Sequence, residues 1–138
     1  MSKGVLLDTC VVIWISRNEW ISKEAKDAIN YADADGRELF ISTVTAWELG
    51  MLLARQRVAE TRSAKDWYES FRTDAGANEV PVSADIFIAS CSLPHLAHKD
   101  PIDRILIATA REHDLTIITR DRAILAYGAA GHVRTLAC

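Results

Sequence analysis

The sequence predicts an α/β protein, a three-layer α/β/α sandwich around a central, mostly parallel five-stranded sheet. Three observations carry this expectation. Val5, Leu6 and Leu7 are consecutive branched apolar residues, as a strand buried on both faces requires. Further short apolar or β-branched runs alternate with helical patterns along the whole chain. Right-handed crossovers between such strands put the helices on both sides of the sheet.

The first strand ends in Asp8, followed by Thr9 and an apolar run, Cys10 to Trp14, read as a short buried helix. Ser22 is placed as the N-cap of a helix reaching about Ala34, with Ala25, Ala28, Ile29 and Ala32 on one face and Asp35 and Gly36 as its stop. A strand over Leu39 to Val44 leads into Thr45, Ala46, Trp47, Glu48, a T-x-x-E pattern opening a helix through Leu53 with Glu48 in its first turn. The polar stretch Arg55 to Thr61 separates this from a helix over Ser63 to Thr73, whose Trp67, Tyr68 and Phe71 are spaced for packing, and which Gly76 ends. A short strand over Glu79 to Val82 precedes a helix over Ala84 to Leu93, closed by Pro94. His95 and His98, three apart, then fall in a loop that could hold a metal, but with no third nitrogen or thiolate nearby a solvated loop is the preferred reading. Pro101 to His113 carries the strongest helix signals, with Asp100 at the N-cap, Pro101 at the first position and a buried face of Ile102, Ile105, Leu106 and Thr109. A strand over Thr116 to Thr119, a short helix near Ala123 to Tyr127, the glycines Gly128 and Gly131 and a last strand over about Val133 to Leu136 complete the pattern.

No repeat or linker interrupts these 138 residues, so one domain over 1–138 is expected, long enough to bury about two-thirds of its unfolded surface. A 49% hydrophobic and 25% charged composition is that of a globular protein and leaves room for a subunit interface. Neither a signal peptide nor a run of about 20 apolar residues is present, which predicts a cytoplasmic protein with no membrane partner. Cys10, Cys91 and Cys138 are odd in number and form no C-x-x-C pair, which argues against a disulfide framework or thiolate zinc site and for reduced, mostly buried thiols. A net charge of -3 argues against a basic nucleic-acid binder. It is compatible with a nuclease, because cations in an acidic pocket reverse its local sign, and Lys99, Arg104, Arg120 and Arg122 lie next to the acids as candidate phosphate contacts.

Four carboxylates, Asp8, Glu48, Asp103 and Asp121, fall at strand ends or in early helical turns, where open α/β sheets bind ligands. Three of them have a ready ordinary alternative. Glu48 can close a capping box, Asp103 can answer the helix dipole, Asp121 can cap the helix after it, and Asp100 is better explained as an N-cap than as a ligand. Asp8 is the hardest to dismiss in this way, since an apolar strand gains nothing structural from a terminal charge. If the four converge, any pair 4 Å apart repels by about 4 kcal/mol at an effective dielectric of 20. A divalent cation removes that penalty, and oxygen-only ligands favour Mg2+ or Mn2+ over zinc.

Asp8 in LLDT, Glu48 in TAWELG, Asp103 in DPIDRILIATA and Asp121 in TIITRD together resemble the acidic signature of the PIN-domain nucleases, and within them the VapC-type toxins of type II toxin-antitoxin pairs. The resemblance spans essentially the whole chain. It implies a Mg2+- or Mn2+-dependent endoribonuclease, with Asp8 and Asp103 as principal metal ligands, Glu48 and Asp121 completing the site, and Thr119, Thr9 and Asp100 as accessory groups. It also implies a homodimer, an RNA substrate and inhibition by a cognate VapB-like antitoxin. Other readings are a PIN-type RNA-processing nuclease without an antitoxin and a non-catalytic PIN scaffold that binds RNA or protein. A phosphate-accepting receiver domain fits poorly, because Val82 and Ser83 end the third strand without an aspartate; a haloacid-type phosphatase fits poorly because D-x-D is missing after Leu7.

Overall fold

The computed structural model describes residues 2–30, 38–96 and 98–138. The chain runs β1 (Gly4–Leu7), α1 (Thr9–Ser16), α2 (Lys23–Asn30), β2 (Glu38–Ser42), α3 (Thr43–Ala54), α4 (Ala64–Ala75), β3 (Asn78–Val80), α5 (Ala84–Cys91), α6 (Pro101–His113), β4 (Leu115–Thr119), α7 (Arg122–Ala129) and β5 (Arg134–Ala137). The five strands form one sheet in the order β3-β2-β1-β4-β5, and every pairing is parallel.

Alternation along the strands divides the interior into two cores. Val5 and Leu7 of β1, Leu39 and Ile41 of β2 and Ile118 of β4 meet Val11, Val12, Ala25, Leu49, Trp67, Tyr68 and Phe71 on one face. Leu6, Leu115 and Ile117 point the other way, into Ile86, Ile105, Leu106, Ile124 and Tyr127. Helices thus cover both faces, as the unbroken apolar run of β1 requires. The predicted aromatic stripe of α4 is core, and the indole N–H of fully buried Trp67 donates to Ser16 Oγ at 3.1 Å.

β1 is central, and the chain leaves it toward β2 on one side and later returns to β4 on the other. That reversal opens a crevice beyond the carboxyl ends of β1 and β4. Helices antiparallel to the strands bring their N-termini to the same edge. The parallel ladder continues past the strand ends, since the Asp8 amide donates to the Ile118 carbonyl at 3.1 Å and the Cys138 amide to the Thr119 carbonyl at 3.0 Å. The main chain at Asp8 and Thr119 is therefore fixed by the sheet.

Several boundaries differ from the sequence expectation. β2 ends at Ser42 instead of Val44, and α3 begins at Thr43 instead of Thr45, because the Ser42 hydroxyl accepts the Val44 amide at 3.0 Å and caps the helix. T-x-x-E is thus not a capping box, and Glu48 stands in the second turn. β3 is Asn78–Val80 and stops before Pro81, which lacks the N–H to extend the ladder. α5 ends at Cys91, two residues short of Leu93, whereas α7 runs from Arg122 to Ala129. The Ser22 hydroxyl does accept the Ala25 amide, but the predicted end of that helix near Ala34, with Asp35 and Gly36, lies outside the described residues. The thiols are not mostly buried: Cys10 and Cys91 are exposed and only Cys138 is buried. Gly128 is required by packing, since a Cβ there would overlap the Thr135 side chain of β5. No helix among the described residues is long and apolar enough to cross a membrane.

The cap at Ser42 gives a first expectation. Ser42→Ala removes the acceptor of a buried amide and should cost about 1 kcal/mol, a drop of about 3–5 °C in Tm read by thermal denaturation.

Candidate active site

Asp8 follows β1 at the N-cap position of α1, yet its side chain makes no capping hydrogen bond. It is 7% exposed. The Thr119 hydroxyl at the end of β4 donates to Asp8 Oδ2 at 2.7 Å and accepts the Asp121 amide at 2.9 Å. One hydroxyl thereby ties together the acids that follow the two central strands. Burial raises the Asp8 pKa above its ordinary value and the charge of Asp121 adds to this, while the Thr119 hydrogen bond and the first amides of α1 pull it back.

Asp121 is the N-cap of α7, its Oδ1 accepting the Ile124 amide at 2.9 Å. The cap and a ligand role are compatible, because a carboxylate has a second oxygen. Asp100 caps α6 through Oδ1, which accepts the amides of Ile102 and Asp103 at 2.9 and 3.1 Å. This turn sets Asp103 at the edge of the crevice, with its carboxyl pushed up to about 6, first by burial and then by Asp100, Asp8 and Asp121, against the pull of His98. Glu48, on the second turn of α3, is raised by burial and by Asp8 and Asp100, while a hydrogen bond from Thr9 opposes the shift. Thr9 is buried and its hydroxyl lies 3.0 Å from that of Thr45, which links α1 to α3 beneath Glu48.

Cys10 reports the convergence. Although its side chain reaches the surface, desolvation at the crevice edge and then the charges of Asp8, Glu48, Asp103 and Asp121 push its thiol up to about 12. The structure accordingly brings Asp8, Glu48, Asp103 and Asp121 to one sheet edge, where burial and neighbouring charge disfavour the ionisation of Asp8, Glu48 and Asp103.

The sequence expectation for His98 is corrected. It is not in a solvated loop, because its Nε2 lies 2.7 Å from Asp103 Oδ2, and His98, Asp103 and Asp121 each offer a ligand atom within 4.8 Å of the others. The neighbouring acids raise the His98 pKa, the Asp103 hydrogen bond most of all. His95 instead lies with its ring centroid 5.5 Å from that of His132. The donor set fits a divalent cation: opposite ligands about 2.2 Å from one ion stand about 4.4 Å apart, and the ion's charge would offset the repulsion among the acids.

The PIN domain family matches residues 5–129. The chain belongs to that family. Its resemblance to PIN-domain nucleases, read from four short motifs, is thereby borne out. A curated relative, "Ribonuclease VapC22" of Mycobacterium tuberculosis, is 29% identical over 121 residues, covering 87% of this chain and 88% of its own. Among solved structures, a toxin-antitoxin complex from Klebsiella pneumoniae is 27% identical, with a TM-score of 0.56, over 86% of this chain and 87% of that one. VapBC2 from Rickettsia felis, bound to a DNA fragment from its promoter, shares the fold with a TM-score of 0.70 at 12% identity over 97% and 98% of the two chains.

Two of the four cations expected beside the PIN-domain acids are turned to the scaffold. The Arg104 guanidinium donates to the carbonyls of Ser90 at 2.7 Å, His98 at 2.9 Å and Leu96 at 3.5 Å. Arg120 stacks 3.8 Å from the Trp14 ring centroid and donates to the carbonyls of Trp20 at 2.6 Å and Cys138 at 3.3 Å. These contacts occupy part of each guanidinium, leaving Arg104 Nη2 and Arg120 Nη1 without a main-chain partner in these bonds. Lys99 and Arg122 are exposed.

Sequence reasoning set His98 aside in favour of a solvated loop and did not single out Thr45. The signal for His98 was present: Asp100 at N-cap and Pro101 at N1 fix a chain reversal that folds the second residue before the cap back over Asp103 at N3. Thr119→Val tests the tie between the acids. It should cost about 1–3 kcal/mol in urea denaturation by leaving the Asp121 amide unpaired, and it should move the Asp8 carboxyl titration further up, as followed by NMR.

Proposed function

We propose that the chain is a metal-dependent endoribonuclease, the toxin of a type II toxin-antitoxin pair, hydrolysing RNA phosphodiester bonds at this acidic crevice. The observation that carries the reading is the meeting of Asp8, Asp103 and Asp121 at the carboxyl edge of the two central strands, joined through the Thr119 hydroxyl and the cluster of ligand atoms around His98, in a PIN domain similar over most of its length to a ribonuclease of the VapC kind. Asp8, Asp103 and Asp121 would hold Mg2+ or Mn2+, with Glu48 completing the site. When bound, such an ion polarises the scissile phosphate and lowers the pKa of the attacking water.

The chain's own residues supply position and charge. Thr119 locks the Asp8 carboxylate, so little reorganisation is needed when ligands engage. Asp100 sets the helical turn that presents Asp103, and Thr9 with Thr45 braces α3 under Glu48. Lys99 and Arg122, both exposed, would meet RNA phosphates flanking the acids and neutralise backbone charge without reading sequence. A cognate VapB-like antitoxin and a second copy of this chain are the expected partners. Large apolar side chains exposed at Trp47 of α3 and at Phe87 and Ile88 of α5 are surface that an assembly would cover.

Purified protein should cut single-stranded or hairpin RNA oligonucleotides with Mg2+ or Mn2+ and stop when a chelator is added. Cleavage that continues undiminished in excess chelator would contradict the metal dependence. A short reading frame next to this gene, encoding a DNA-binding fold whose product silences the activity, separates the toxin reading from an RNA-processing nuclease.

A further inference from the structure

His98 is the one nitrogen donor among the described residues that the structure groups with the acids as a possible ligand. Its Nε2 is 2.7 Å from Asp103 Oδ2, and ligand atoms of His98, Asp103 and Asp121 all fall within 4.8 Å of one another. Two donors on one cation at about 2.2 Å stand about 3 Å apart when adjacent and about 4.4 Å apart when opposite. The His98–Asp103 hydrogen bond therefore has nearly the span of two adjacent ligands, and a cation can take the place of its proton with little side-chain movement.

The imidazole is also held for this purpose. Arg104 follows Asp103 on α6, and its guanidinium grips the carbonyls of His98, Leu96 and Ser90. The segment bearing His98 is thus bound to the helix bearing Asp103, and both donors move as one piece. Through these three carbonyls Arg104 fixes the position of the segment that carries His98. An imidazole in the coordination shell changes which ion the site prefers, since Mg2+ demands oxygen donors and gives up water reluctantly, whereas first-row transition ions accept nitrogen.

Resting on the reading that this crevice binds a divalent cation, we propose that His98 is a direct ligand of that cation and makes the site select first-row transition ions, with Mn2+ as the probe, over Mg2+. The experiment is pulsed electron paramagnetic resonance of Mn2+ bound to the full chain, together with calorimetric titration of Mn2+ and Mg2+. The wild-type protein should show nitrogen modulation on Mn2+ that His98→Gln removes, with Mn2+ affinity falling about tenfold or more while Mg2+ affinity changes less than about threefold. His98→Asp keeps a donor at the same place, so it should retain Mn2+ binding without the nitrogen signal and bind Mg2+ more tightly than wild type does. Mn2+ binding with no nitrogen modulation, or modulation unchanged in His98→Gln, would overturn the proposal and reduce His98 to orienting Asp103, leaving the cation site itself intact. No Mn2+ binding by the wild-type chain would overturn this proposal and the metal-dependent reading together.

Discussion

Asp8→Asn is expected to lower kcat/KM for RNA cleavage at least about 10³-fold, about 4 kcal/mol of barrier, while leaving the metal-free protein more stable than wild type. The two effects have one cause. Asp8 is buried, is not used as a helix cap, and is held beside Asp121, so its charge is costly without a cation. Asparagine keeps the shape and still accepts the Thr119 hydroxyl, but carries no charge to bind an ion. A gain of about 1 kcal/mol or more in metal-free stability is expected, as at other sites where function is retained at the expense of stability. Thermal denaturation in chelator and cleavage assays in Mn2+ measure the two sides. Wild-type activity in this variant would remove Asp8 from the mechanism, and a large loss of metal-free stability would show its carboxylate to be structural.

The metal-free protein should become less stable as pH rises from about 4 to 7. Folding moves the Asp103 pKa from 3.8 to about 6, so below 3.8 both states are protonated and nothing is lost. Between the two values the folded state binds more protons than the unfolded one, and stability falls with rising pH; the penalty is complete about one pH unit above 6 and, discounted for solvent screening at this partly exposed carboxyl, amounts to about 1–2 kcal/mol. His98 acts in the same direction: its folded pKa is raised above 6.5, so its contribution is whole below 6.5 and disappears as pH passes the folded value. Asp8 and Glu48, also raised, extend the same slope. A bound cation should flatten it. At 100 times its Kd, Mn2+ adds about 2.7 kcal/mol at neutral pH, about 8–10 °C in Tm for a chain of this size, and much less at pH 5, where protons compete. Melts at pH 5 and 7, with chelator or with Mn2+, provide the comparison. A chelated protein whose Tm rises between those pH values would contradict the electrostatic description of the site.

Much of the fold was legible because the strongest signals were local and mutually consistent. The apolar run at β1 required cover on both faces, and α6 was read to the residue from Asp100, Pro101 and its apolar spacing. β2 and α3 were misplaced by two residues because Ser42 and Thr45 are both competent caps, and only packing decides which is used. Convergence of the four acids was legible from their places at strand ends and helix starts, since a parallel sheet sends all such positions to one edge. What the sequence concealed was direction. Arg104 and Arg120 read as cations beside acids, and whether a guanidinium faces solvent or its own main chain depends on carbonyls many residues away. His98 was hidden for the same reason, since a loop histidine is functional only through what the following helix presents to it.

The central claim is that Asp8, Asp103 and Asp121 share a divalent cation at the carboxyl edge of β1 and β4. Anomalous diffraction from crystals grown with Mn2+ tests it most directly. The expected result is a peak about 2.2 Å from carboxylate oxygens of Asp8, Asp103 and Asp121. A Mn2+ peak that avoids these three residues, or a crevice without one when Mn2+ is saturating, would contradict it.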